Sequence, residues 1–227
     1  MQDVQDSDSP AFIITTPEDG ASVARLLLAH GAGAPMTSPF METMAALLAE
    51  VGVETWRFEF AYMAARRTQG KRRPPPRAEL LRGEYVSITQ AAAGRIAGNG
   101  GPRLPLLIGG KSMGGRVATM VLAELSAAGT VAGAVALGYP FHPPGRPEKP
   151  RTEHLEALSA PLLIVQGERD PFGTRDEVMS YPLSPSIEIT WMTDGDHDLG
   201  PRGGRGVTRR QNLMSAAAHV ARFAAGL

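Results

Sequence analysis

Residues 110–114 read Gly-Lys-Ser-Met-Gly, so one hydroxyl, that of Ser112, stands between two glycines. An apolar run (LPLLIGG) precedes it and a helical pattern (RVATMVLAEL) follows it. Gly-x-Ser-x-Gly in that setting lifts a hydroxyl out of the backbone at a sharp strand-to-helix bend, where a base can reach it from the side. A serine hydroxyl is a weak nucleophile at neutral pH and needs such a base. Gly109, Gly110, Gly114 and Gly115 supply the small neighbours that a tight bend requires. The helix that follows points backbone N–H groups and its positive end at the site. Gly110-Lys111-Ser112 also resembles the end of a phosphate-binding loop, but that motif needs a glycine at position 105, where this chain has proline.

Attack on an acyl group requires an acid, a base and an oxyanion hole as well. The apolar run PLLIVQ leads into GERDPFGTR, where Asp170 precedes a proline on a rigid turn, with Glu168 as its competitor. Of five histidines, His197 lies in the loop DGDHDL after the last apolar run, downstream of Ser112 and Asp170. His30 belongs to an early glycine loop and is expected to brace it, while His142, His154 and His219 fall outside the constellation. Asp194, Asp196, His197 and Asp198 could also be read as metal ligands, but no second cluster pairs with them at ligand spacing, and no metal is expected. The loop HGAGAP offers a backbone donor for an oxyanion, expected at Ala32 with Gly33 as the alternate, and Met113 the second donor.

Short apolar runs alternating with helical spacing position these residues. Strands are expected at 12–16, 25–29, 53–60, 104–109, 131–137, 161–166 and 187–192. Helices are expected over 40–51, 81–96, 113–128, 174–180 and 208–225. The alternation predicts an α/β fold with a mostly parallel central sheet covered on both faces and no separate lid domain. Function in such sheets collects at the carboxyl ends of the strands, where the unusual loops lie. A disordered acidic leader over 1–10 and a single domain over 11–227 are the expected organisation.

The 227 residues are 43% hydrophobic and 20% charged, with zero formal net charge and no cysteine. Disulfides, thiolate metal sites and a cysteine nucleophile are thereby excluded. The N-terminus lacks the apolar core of a signal peptide, and no apolar run approaches the roughly 20 residues needed to cross a bilayer. A cytoplasmic protein without membrane partners is expected. Zero net charge conceals two basic loops: Arg66, Arg67, Lys71, Arg72, Arg73 and Arg77, then Arg202, Arg205, Arg209 and Arg210. They form either a positive entrance for an anionic substrate or solvated loops and ion-paired braces using Glu59, Glu79 or Glu84. Arg66, Arg67, Arg72 and Arg73, with Tyr62, Tyr139 and Phe172, are the candidate entrance residues; core packing is the competing role for the aromatics, Phe141 included. Aromatics are not interleaved with the arginines, so no nucleic-acid partner is expected.

The order Ser112…Asp170…His197 resembles that of the α/β-hydrolase superfamily. HGAGAPMTSPF, GGKSMGGR, LGYPFHPPG, QGERDPFGTR and DGDHDL are similar to small bacterial hydrolases grouped with dienelactone-hydrolase-like and KANL-type domains. The resemblance implies a compact, cofactor-free serine hydrolase acting on a small acyl substrate. Dienelactone hydrolases themselves use a cysteine nucleophile, which this chain lacks, so dienelactone is not the implied substrate. Some members of the wider group serve as scaffolds. The alternative function is therefore a hydrolase-fold interaction module with little turnover.

Overall fold

A computed structural model describes residues 10–18, 20–69, 74–100, 103–204 and 206–227. Residues 1–9 of the expected leader, together with Lys71, Arg72, Arg73 and Arg205, lie outside the described residues, as does the side chain of Arg67. Seven strands form one sheet: β1 (Ile13–Thr15), β2 (Ala24–Ala29), β3 (Val53–Phe58), β4 (Leu106–Lys111), β5 (Gly133–Leu137), β6 (Leu162–Gly167) and β7 (Ile187–Met192). Their order is β1-β3-β2-β4-β5-β6-β7, antiparallel between β1 and β3 and parallel elsewhere. The helices are α1 (Pro39–Glu50), α2 (Ala61–Gln69), α3 (Arg82–Gly98), α4 (Met113–Ala127), α5 (Glu153–Glu156), α6 (Arg175–Val178) and α7 (Arg209–Ala225).

Successive strand residues point to opposite faces, and the core divides accordingly. On β2, Leu27 and Ala29 join the layer formed by α3 and α4, through Tyr85, Ile88, Val117 and Val121. Leu26 and Leu28 join the layer formed by α1 and α7, through Met44, Leu48, Leu213 and Val220. With both faces covered, the inner strands read as near-continuous apolar runs rather than as alternating ones.

One expected loop proves to be helical. In the arginine-rich segment after β3, residues 61–69 form α2, because Ala, Met, Arg and Gln all have high helix propensity. A short 3₁₀ turn (Ala78–Leu81) then leads into α3.

Ser112, between β4 and α4, has φ 52° and ψ −116°, a left-handed conformation rare for a residue with a side chain. Close approach of the backbone around it requires glycine. A Cβ on Gly110 would lie 2.5 Å from the Gly114 carbonyl carbon, and one on Gly114 would lie 2.5 Å from the His30 carbonyl oxygen.

A buried polar seam joins α4 to α5. The Thr119 hydroxyl donates to the Arg116 carbonyl (2.8 Å) and the Tyr139 hydroxyl to the Arg151 carbonyl (2.8 Å). Both hydroxyl protons are therefore committed. His154 must donate from Nε2 to the two oxygens, at 2.9 and 3.5 Å. Burial first, then the Arg116 and Arg82 charges, lower its pKa from 6.5 to about 4.

Gly114→Ala should lower the unfolding free energy by about 2 to 3 kcal/mol in urea, because an alanine Cβ overlaps backbone there. Gly33→Ala, with nothing near the added atom, should change it by less than about 0.5 kcal/mol. Equal losses would contradict the packing described. His154 stays neutral in the folded chain while its unfolded counterpart takes up a proton below 6.5. Stability therefore falls as pH drops from 6.5 toward 4, by about 2 to 3 kcal/mol allowing for partial solvent exposure. Urea midpoints of wild type and His154→Gln measured across that range should converge as the pH falls; a constant difference would refute the assignment.

Candidate active site

Three loops at the carboxyl ends of β4, β6 and β7 bring Ser112, Asp170 and His197 together. Ser112 Oγ lies 2.9 Å from His197 Nε2, and His197 Nδ1 lies 2.7 Å from Asp170 Oδ2. A carboxylate only accepts, so Nδ1 carries the proton and Nε2 is left to accept the serine proton. Asp170 is fully buried. Its Oδ2 also accepts from Gln166 Nε2 (2.9 Å), and its Oδ1 accepts from the Phe172 N–H (2.9 Å). Glu168 points elsewhere, accepting from the Asp194 N–H and pairing with Arg175 at 2.9 Å.

Two residues that sequence reasoning missed hold this arrangement. Gln166, in β6, accepts from the Tyr139 N–H (2.7 Å) and donates to the Tyr139 carbonyl (3.1 Å) while holding Asp170. It thereby ties the acid to the neighbouring loop. Lys111, the last residue of β4, is only 7% exposed. Its Nζ donates to the His197 carbonyl (2.7 Å) and pairs with Asp198 (3.3 Å). Burial lowers the Lys111 pKa, and the Asp198 and Asp170 charges oppose the shift. The signal for both was a lone polar residue in an otherwise apolar strand.

The early glycine loop lies against Ser112. His30 is buried, with Nδ1 donating to the Gly31 carbonyl (2.6 Å) and Nε2 accepting from the Phe60 N–H (3.2 Å). Burial lowers its pKa, which favours this neutral form. Tyr62 was expected as an entrance residue. Its hydroxyl instead donates to the Ala32 carbonyl (3.1 Å), so the ring braces the loop from behind. Burial pushes that phenol up to about 12.

A cleft of about 590 Å³ opens beside Ser112, lined by Ala32, Met113, Pro75, Pro76, Arg77, Glu79, Arg116, Pro140, Arg151 and Phe172 among others. Ala32 and Met113 therefore face the same space as the serine, whereas Gly33 is not part of this lining. Phe172 lies in the wall with its ring 4.3 Å from the His197 imidazole. Tyr139 does not line the cleft. It is fully buried, as is Phe141, because its hydroxyl finds an internal acceptor in the Arg151 carbonyl. Arg66 does not line it either; the residue is half-buried on α2, close enough to Tyr62 for its charge to act on the phenol.

Arg77, of the first basic loop, lines the cleft, whereas Arg202, of the second, does not. Arg202 forks onto Asp194, with Nη2 at 2.6 Å and Nε at 3.0 Å from Oδ1, and Arg169 pairs with the same carboxylate at 2.8 Å. Asp194 is held at about 2, first by its hydrogen bond to Arg202. Among the described residues no group of three or more His, Cys, Asp or Glu side chains is placed to hold a metal ion, and no helix is long and apolar enough to cross a membrane.

The fold is similar to that of several solved hydrolases. A dienelactone hydrolase from Anabaena variabilis matches with TM-score 0.65 and 20% identity, over 92% of this chain and 88% of that one. An alpha-beta serine hydrolase homologue from Coxiella burnetii matches with TM-score 0.61 and 18% identity, over 93% and 89%. A serine hydrolase without lid from Xanthomonas campestris matches with TM-score 0.61 and 17% identity, over 95% and 94%. The model of the alpha/beta hydrolase domain matches residues 22–225, nearly the whole length over which the sheet, the serine turn and its partners lie, and the chain belongs to that family.

Proposed function

We propose that this chain is a serine hydrolase of carboxylic esters, thioesters or related acyl compounds. The observation that carries the reading is the continuous chain of hydrogen bonds from Ser112 Oγ through His197 to the buried Asp170, opening onto a cleft. Proteins of similar fold described as serine hydrolases support it.

In this reading Ser112 Oγ attacks the carbonyl carbon while His197 Nε2 takes its proton. The tetrahedral oxygen is held by the backbone N–H groups of Ala32 and Met113, at the positive end of α4. Asp170 keeps Nδ1 protonated and stabilises the imidazolium, without itself taking the proton. His197 then protonates the leaving group, and the carbonyl re-forms as an acyl-serine. Water, deprotonated by His197, attacks the acyl carbon and releases the acid, regenerating the serine. The cycle needs no cofactor.

With 4-nitrophenyl acetate as substrate, Ser112→Ala and His197→Ala should each lower kcat by at least about 10³-fold, and the double variant should be no worse than either alone. Asp170→Asn, which reverses the preferred tautomer, should cost about 10³- to 10⁴-fold. Turnover that survives Ser112→Ala in a folded protein would reject the nucleophile. No turnover by the wild type would favour an interaction module. Tyr62→Phe removes the tether on the Ala32 carbonyl. It should lower kcat by about threefold to tenfold with little change in KM, the size expected for one lost hydrogen bond; an unchanged kcat would show that the loop needs no such brace.

A further inference from the structure

Among the described residues the cleft beside Ser112 is lined by three arginines, Arg77, Arg116 and Arg151, against the single acidic residue Glu79. Arg116 sits one turn into α4, its N–H donating to the Ser112 carbonyl at 3.0 Å, so its backbone is fixed relative to the serine. Its side chain is 16% exposed, and one Nη pairs with Glu79 at 2.7 Å. Its Nε is buried with no hydrogen-bond partner among the described residues. Arg151 is equally fixed at the backbone, its N–H donating to the Phe141 carbonyl (2.7 Å) and its carbonyl accepting from Tyr139. Among the described residues no carboxylate lies within ion-pair distance of its guanidinium. Arg77 stands at the exposed rim, 3.9 Å from Glu79.

Glu79 offsets one of two partly desolvated cations, Arg116, and the second, Arg151, stays unfavourable unless a further anion completes it. Burial and the neighbouring Arg116 depress the Arg151 pKa, and the same positive field contributes to the low pKa of His154 behind the wall. Guanidinium forks match the geometry of carboxylate and phosphate oxygens and hold them by charge-assisted hydrogen bonds. A wall of this kind, in the same cleft as the serine, selects among substrates rather than merely attracting them from afar.

We propose that Arg116 and Arg151, with Arg77 at the rim, form a subsite for an oxyanion, a carboxylate or a phosphate, carried by the acyl substrate. The chain is then selective for anionic esters over neutral ones of the same shape. This proposal rests on the serine-hydrolase reading and names the substrate class for that site.

The test compares kcat/KM for 4-nitrophenyl hydrogen glutarate and 4-nitrophenyl pentanoate, which differ in a terminal carboxylate against a methyl. The wild type should prefer the glutarate ester by about tenfold or more, and the preference should shrink as ionic strength rises. Arg151→Gln and Arg116→Gln should each reduce the ratio by about tenfold, chiefly through KM for the glutarate ester, and Arg151→Lys should restore part of it. Arg210→Gln, on α7 and outside the cleft, should leave the ratio unchanged. A purely structural role for Arg116 would lower both rates together and leave the ratio alone. A wild-type ratio at or below one, or a ratio indifferent to both arginine substitutions, overturns the subsite while leaving the hydrolase reading intact. Binding supplies a readout independent of turnover, through calorimetric titration of Ser112→Ala with glutarate and with inorganic phosphate. Binding of either that is lost on adding Arg151→Gln supports the subsite and identifies its anion, even if neither ester is hydrolysed. Absence of binding by both, together with no ester preference, rejects it.

Discussion

The left-handed backbone at Ser112 is the constraint on which the rest of the site depends. Holding a residue with a side chain at φ 52° costs on the order of 1 to 3 kcal/mol, and the surroundings must make any relaxed alternative worse. They do so by contact. Gly110 and Gly114 press together across the bend, the Ser112 N–H donates to the Leu137 carbonyl at 2.9 Å, and the Ser112 carbonyl accepts from Arg116. With the backbone caught between β4, β5 and α4, the side chain has one way out, toward the imidazole. The same contacts bring the glycine loop at 31–33 alongside, since a Cβ on Gly31 would stand 3.8 Å from that of Ser112.

The partners of the serine are held by polar tethers rather than by apolar packing alone. His197 lies in a loop, and a loop by itself would not hold an imbalance of a few tenths of an ångström at a reacting atom. Lys111 reaches from the strand that carries the serine to the His197 carbonyl, so Ser112 and His197 share an anchor. Gln166 does the corresponding work for Asp170, linking it to both backbone groups of Tyr139. Each tether buries a group that is expensive to leave unpaired, which makes the arrangement stiff: any departure exposes a donor or acceptor with no replacement nearby.

Much of the architecture was legible in the sequence because the apolar runs are short, evenly spaced and separated by amphipathic helices. Ser112, Asp170 and His197 could be singled out because each follows a strand, in the family's order, and their meeting needs only the sheet. What could not be read was direction. The arginines at 66–77 and 202–210 stood out by density along the chain, yet Arg66 lies on a helix, Arg202 is taken up by Asp194, and Arg77 stands at the rim of the cleft. Two further arginines of the cleft, Arg116 and Arg151, lie far apart in sequence and share it because the α4 and 139–152 segments pack together. Tyr139 shows the converse: a residue that resembles a pocket wall by its position after a strand is drawn inward, since its hydroxyl finds a backbone acceptor. Lone polar residues inside apolar strands, Lys111 and Gln166, were the available signals, and they mark tethers rather than chemistry.

The central claim is that this strained turn presents Ser112 as an activated nucleophile, and covalent trapping addresses it most directly. The folded protein would be treated with a fluorophosphonate and its peptides mapped by mass spectrometry. The account predicts a single phosphonyl adduct, on Ser112, formed by the wild type and suppressed in His197→Ala. No adduct in a folded sample, or an adduct on another residue that His197→Ala leaves unaffected, would contradict it.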